Sequence, residues 1–163
     1  NKFLKYKGEL YPEYLFNKKA SSYIKDKALE YCRGTGIDVG AGAWPLDGAH
    51  PVENVPEENA YNLDKFADPS LDFVFSSHCL EHLERWQDAL ELWIKKLKPG
   101  GILFLYLPHE SMIMWRPGEI FGLQWHQSFP GIPESPENLV SLASLLYLIE
   151  VHMQHQLFHT RHH

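Results

Sequence analysis

Residues 36–48 read Gly36-Ile37-Asp38-Val39-Gly40-Ala41-Gly42-Ala43-Trp44-Pro45-Leu46-Asp47-Gly48. The short apolar strand Ile37–Val39 runs into two glycines one residue apart, a turn that lets a ligand approach bare backbone. In a dinucleotide site such glycines lead straight into a helix, whose N-terminal N–H groups and dipole hold the pyrophosphate. Here that helix is cut short. Pro45 stands where the third glycine belongs, and the five residues between Gly42 and Gly48 give barely more than one turn at about 3.6 residues per turn. An acid that grips a ribose is expected about 20 residues beyond the glycines. Glu53 comes earlier, thirteen after Gly40, so the whole connection is short.

A ligand with an adenosine but no phosphate tolerates this loss. S-adenosyl-L-methionine is one: its sulfonium is positive, its methionine part can lie along the glycine turn, and its ribose hydroxyls call for a carboxylate. By itself the glycine pair also fits a plain tight turn.

Outward from the turn, Ala20, Tyr23, Ile24, Ala28 and Tyr31 have helical spacing, and Gly34 is a suitable stop. Residues 1–18 read as an irregular lead-in or flap. Between the glycines and residue 70, two short strands are predicted, around Ala49–Glu53 and Ala60–Leu63. Leu71–Ser76 is a buried strand built on Phe73-Val74-Phe75. Trp86, Ala89, Leu90, Trp93, Ile94 and Leu97 mark one face of a second helix. Lys98 suits its negative end, and Pro99-Gly100-Gly101 stops it. Ile102–Leu107, apolar on both faces, belongs in the middle of a parallel sheet. Residues 109–135 are rich in Trp, Phe, Pro and Gly and would wall a substrate pocket or pack as a lid. A helix from Ser135-Pro136, a strand near Leu148–Met153 and a histidine-rich tail complete the chain.

Strand, helix and strand in this order give an α/β fold: a Rossmann-like three-layer sandwich with a mostly parallel sheet, in one domain spanning residues 1–163. Ligands of such sheets bind beyond the carboxyl ends of the strands. At 163 residues and 44% hydrophobic, the chain can bury a proper core. A formal net charge of −6 with scattered lysines and arginines argues against nucleic acid and anionic membranes as partners. No leader or spanning segment is visible, and Cys32 and Cys79 form no pair, which together point to the cytoplasm. The oligomeric state is not legible.

Two further runs join the glycine turn. One is Asp72-Phe73-Val74-Phe75-Ser76-Ser77-His78-Cys79-Leu80-Glu81-His82-Leu83; the other is Leu97-Lys98-Pro99-Gly100-Gly101-Ile102-Leu103. In this order, over Gly36–Pro108, the chain resembles the class I S-adenosylmethionine-dependent methyltransferases, and among them the small UbiE-like branch. The resemblance implies methyl transfer to a small-molecule acceptor. It implies that Asp38, Gly40, Ala41 and Gly42 line the methionine part of the cofactor and that Glu53 holds the ribose hydroxyls. Asn62, Leu63 and Asp64 fall near the adenine turn; the family often has an acid slightly earlier, where this chain has Ala60 and Tyr61. Ser76, Ser77 and His78 would lie between cofactor and substrate. The shortened first connection departs from the family pattern and leaves open a protein that binds the cofactor, or serves as a scaffold, without catalysis.

His78-Cys79-Leu80-Glu81-His82 is also H-x-x-E-H, a zinc-hydrolase pattern when both histidines share a helix face and Glu81 is the general base. That reading is disfavoured: His78 directly follows a strand and so belongs to a turn, and no metal is expected. His82 reads as a helix-start residue packed under the sheet. A base is needed only if the acceptor is a weak acid such as a hydroxyl. His109, His126 and His78 are the candidates, since histidine titrates near neutral pH.

Overall fold

The computed structural model describes residues 2–13, 16, 20–107 and 119. The chain opens with a hairpin of β1 (Phe3–Tyr6) and β2 (Glu9–Pro12), followed by α1 (Ala20–Tyr31), β3 (Gly36–Val39), β4 (His50–Val52), β5 (Leu71–Ser77), α2 (Trp86–Lys96) and β6 (Leu97–Tyr106). Strands β3 to β6 form one all-parallel sheet in the order β4-β3-β5-β6.

The alternation of side chains along the strands builds two cores. Ile37, Val39, Val74, Leu103 and Leu105 face one way and meet Ala89, Leu90 and Trp93 of α2. Phe73, Phe75, Phe104 and Tyr106 face the other way and meet Ile24, Ala28 and Cys32 of α1 and its end. Fully burying a side chain such as Phe73 or Phe75 contributes roughly 1.5–3 kcal/mol. The result is the expected α/β/α sandwich, trimmed to four parallel strands among the described residues.

No helix joins β3 to β4. Residues 40–49 are turns, and Leu46, 1% exposed, fills the α1-side core in the helix's place. The Leu46 N–H donates to the buried Asp38 carboxylate at 2.8 Å, which pins the short connection to β3.

Four sequence expectations are corrected. The lead-in is a hairpin: Lys7 and Gly8 both take positive φ, 48° and 90°, which is the backbone a two-residue hairpin turn requires. Ala60–Leu63 is not a strand; an isolated bridge Asn59↔Asn62 closes a turn there, with the Asn59 and Asn62 side chains bonding nearby backbone. Lys98 does not serve the α2 terminus. The helix stops at Lys96, Leu97 already pairs with Leu71, and Lys98 to Gly101 bulge out before Ile102 meets Phe73, leaving Lys98 to pair with Asp72 at 2.9 Å. Among the described residues β6 pairs with β5 and is the last strand of the sheet. Tyr31 is also about half exposed, and Cys32 takes the core position beside it.

The predicted helix from Ser135-Pro136, the strand near Leu148–Met153 and the histidine-rich tail lie outside the described residues. No described helix is long and apolar enough to cross a membrane.

Candidate functional site

A cavity of about 480 Å³ opens at the carboxyl ends of β3, β4 and β5, within the range of roughly 300–1,000 Å³ typical of small-molecule sites. Val39 and Gly40 come from the end of β3, Val52, Glu53 and Asn54 from the end of β4. The Gly40 N–H donates to the Val52 carbonyl at 2.8 Å, so the glycine turn is tied to the residue that precedes Glu53. Gly40 has φ +75°, and a Cβ there would come within 2.7 Å of Cys79 Cβ and Sγ. Glycine is required both by the backbone and by the close fit.

Behind the turn, burial pushes the Asp38 carboxyl up to about 6, against the opposing pull of the Leu46 N–H; the nearby Glu53 carboxylate adds to the rise. Asp38 therefore braces the turn from beneath and does not line the cavity.

A loop supplies the second wall through Asn59, Ala60 and Tyr61. It is held at its root by Glu58, a buried carboxylate 2.9 Å from His50 Nε2 and 3.3 Å from Lys65 Nζ. Burial alone would raise the Glu58 carboxyl, but hydrogen bonds to His50 and Lys65 hold it below its ordinary value. The Trp93 indole N–H donates to the Ala60 carbonyl at 2.9 Å, and the Arg85 guanidinium lies over the Tyr61 ring at 4.6 Å. Core and helix start thus fix both faces of this wall.

The third wall is the turn after β5. His78 has φ +51° and its ring stands edge-on to Tyr106, 5.2 Å between centroids. His82, the last residue of a single 3-10 turn (Leu80–His82), continues the wall with Leu83 and Glu84. Under it lies Glu81, fully buried, with Oε1 3.3 Å from His78 Nδ1 and 3.7 Å from His82 Nε2. Burial holds the His82 imidazole below its ordinary value, against the pull of Glu81. Burial also drives the Cys79 thiol up to about 12, so it is no nucleophile at neutral pH.

Of the predicted site residues, the fold brings Gly40, Glu53 and His78 to one cavity. Ala41 and Leu63 are buried in the protein, and the Ser76 hydroxyl is turned back to the Val39 carbonyl at 2.8 Å. Ser77 is buried as well. Gly42, Asn62 and Asp64 do not line the cavity; the wall nearest them is made by Asn59, Ala60 and Tyr61. His109 and His126 lie outside the described residues, as does the 109–135 segment apart from Glu119. His82 lines the cavity instead of packing under the sheet, because the helix begins only at Trp86. Glu84 and Asn54 were not legible as site residues; no spacing distinguishes them from solvent-facing polar positions. The helical zinc arrangement is absent, since His78 sits on a left-handed turn and not on a helix shared with His82.

The charge of the walls is informative. Glu53 and Glu84 line the cavity, and among the described residues neither lysine nor arginine does. Such walls suit a cationic ligand and repel a diphosphate.

The methyltransferase-domain family matches residues 19–105, more than half of the chain. The chain belongs to this family. The match runs from just before α1 to the penultimate residue of β6, so it takes in β3, β4, β5, nearly all of β6 and every described residue that lines the cavity. No curated protein and no solved structure matches the chain. Membership supports class I S-adenosylmethionine-dependent methyl transfer in general, and the family in general binds that cofactor. The methyltransferase cavity fits such a group: an open glycine backbone, apolar Val39 and Val52, a carboxylate at residue 53 and, among the described residues, no lysine or arginine.

Proposed function

We propose that this methyltransferase-domain protein binds S-adenosyl-L-methionine between Gly40 and Glu53 and transfers its methyl group to a small-molecule acceptor. The observation that carries the reading is the pairing of a helix-less glycine turn with an acidic cavity wall. Together they offer nothing to a diphosphate and suit an adenosine attached to a sulfonium. Bound there, the cofactor supplies an activated methyl carbon. Gly40 gives backbone for the methionine part, Glu53 accepts hydrogen bonds from the ribose hydroxyls, and Asn59 to Tyr61 flank the base.

The motif run through His78–Leu83 and Leu97–Gly101 supports the UbiE-like branch. Residues 109–135 form the acceptor side in this reading, with His109 and His126 available there as bases beside His78. Two free cysteines are in keeping with a reducing cytoplasm.

Release of S-adenosylhomocysteine over a panel of hydroxyl, amine and thiol acceptors tests the proposal. Release above the acceptor-free background with at least one class is expected. Tight binding of both nucleosides with no release for any class would instead make the chain a non-catalytic cofactor-binding protein.

A further inference from the structure

Resting on that reading, we propose that Glu81 is a positioning residue that makes His78 a general base, and that the acceptor is therefore a weakly acidic hydroxyl.

The Glu81 carboxylate has 0% exposure, and neither of its oxygens meets a hydrogen-bond donor in good geometry among the described residues. A carboxylate taken out of water without compensation is costly by several kcal/mol. The compensation on hand is two imidazoles, His78 at 3.3 Å and His82 at 3.7 Å. The buried carboxylate thus faces one nitrogen of each ring across a short gap. Both histidines line the cavity, so the carboxylate beneath them is one side chain away from a bound acceptor.

His78 is the better placed of the two. It is closer to the carboxylate, and its backbone is held in the left-handed region at the cavity wall. Strain of this kind, of order 1–3 kcal/mol, concentrates at working sites. The carboxylate addresses Nδ1, and Tyr106 packs against the ring and limits its rotation. Contacts of this length in a ligand-free site often tighten when substrate binds. The other ionisable groups around the cluster are Cys79 beside it, Glu84 beyond it, Tyr106 on β6, Glu53 past β4 and Asp38 on β3.

This apparatus matters to one acceptor class. A neutral amine attacks through its own lone pair, and a thiol ionises readily near neutral pH. A hydroxyl is a poor nucleophile until its proton leaves. In the step proposed, the acceptor oxygen forms its bond to the methyl carbon as the carbon–sulfur bond breaks, the bonding pair staying on sulfur. The hydroxyl proton passes to His78, and the positive charge moves from sulfur to the imidazolium, which Glu81 stabilises.

The test uses the full chain with labelled histidine rings, the His78 signal being assigned by its loss in His78→Asn. In the cofactor-free protein, Glu81→Gln should move the His78 titration to lower pH, since the carboxylate that favours the charged ring is gone. An unmoved titration would overturn the proposal. Calorimetry with S-adenosylmethionine on the same samples checks the underlying reading by itself; absence of binding to the parent protein would fell both. With binding established, transfer to phenol and to the more acidic 4-nitrophenol is compared. His78→Asn should lower transfer to phenol by about 100-fold or more, the usual worth of a general base, with a smaller loss for 4-nitrophenol. Glu81→Gln should shift the acid limb of the pH–rate profile for phenol downward. Equal losses for both phenols, transfer to amines alone, or activity abolished by a chelator and restored by zinc would each contradict it.

Discussion

Gly40 and Cys79 lie so close that a single added carbon cannot fit between them: a Cβ on Gly40 would stand 2.7 Å from both Cβ and Sγ of Cys79. The same glycine holds φ +75° and donates its N–H to the Val52 carbonyl at 2.8 Å. The ends of three strands are thus locked through one residue without a side chain. Gly40→Ala is expected to destabilise the fold by about 1–3 kcal/mol, the range for backbone strain of this kind, in urea titration. A change within about 0.5 kcal/mol, the size of an ordinary surface substitution, would contradict this fit.

Asp38 gives a pH-dependent prediction. Its carboxyl rises from 3.8 to about 6 chiefly through burial. The folded state then binds the proton more tightly than the unfolded one. The contribution to stability is complete below about pH 4 and is lost as pH climbs through about 6. A difference of this size corresponds to roughly 3 kcal/mol. Asp38→Asn keeps an oxygen for the Leu46 N–H and removes the buried charge. It should raise stability at pH 7.5, by as much as roughly 3 kcal/mol, and the advantage should vanish near pH 4. Urea midpoints at the two pH values decide the matter; a variant less stable at pH 7.5, or a gap independent of pH, would count against a strained buried carboxylate. Glu58, Asp68 and Asp72, all held below their ordinary values, weaken the fold in acid equally in both proteins and cancel from the comparison.

Trp93 links the core to the cavity wall. It is fully buried, and its indole N–H meets the Ala60 carbonyl at 2.9 Å. Trp93→Phe retains an aromatic ring but orphans that carbonyl, for an expected loss of about 1–3 kcal/mol. The loop from Asn59 to Tyr61 should loosen, weakening S-adenosylhomocysteine binding in the same variant. A stable variant with parental affinity would show that this bond does not hold the wall.

Much of this architecture is written in local sequence pattern. The apolar face Trp86–Trp93, the runs Phe73–Phe75 and Ile102–Leu107, and the truncation between Gly42 and Gly48 all read correctly, because periodicity and chain length dictate them. The ends of strands were also readable as the place to look, which brought Gly40, Glu53 and His78 forward. The loop after β4 was not. Its shape depends on Glu58 meeting His50 and Lys65 and on the Asn59 and Asn62 side chains bonding the Val55 and Pro56 carbonyls, contacts that leave no period. The hairpin was missed although Lys7-Gly8 carries its turn signal, since four-residue strands give too little alternation to stand out. The role of Glu81 stayed hidden for a similar reason: H-x-x-E-H shows the three residues, but only the fold buries the acid beneath the histidines.

The most direct measurement is isothermal calorimetry of S-adenosylmethionine and S-adenosylhomocysteine with the parent protein and with Glu53→Ala. Both ligands should bind the parent. The variant should bind each more weakly by about 1.5–3 kcal/mol, the worth of hydrogen bonds to a charged group, or roughly 10- to 150-fold in affinity. No binding to the parent, or parental affinity in Glu53→Ala, would contradict a cofactor held between the glycine turn and residue 53.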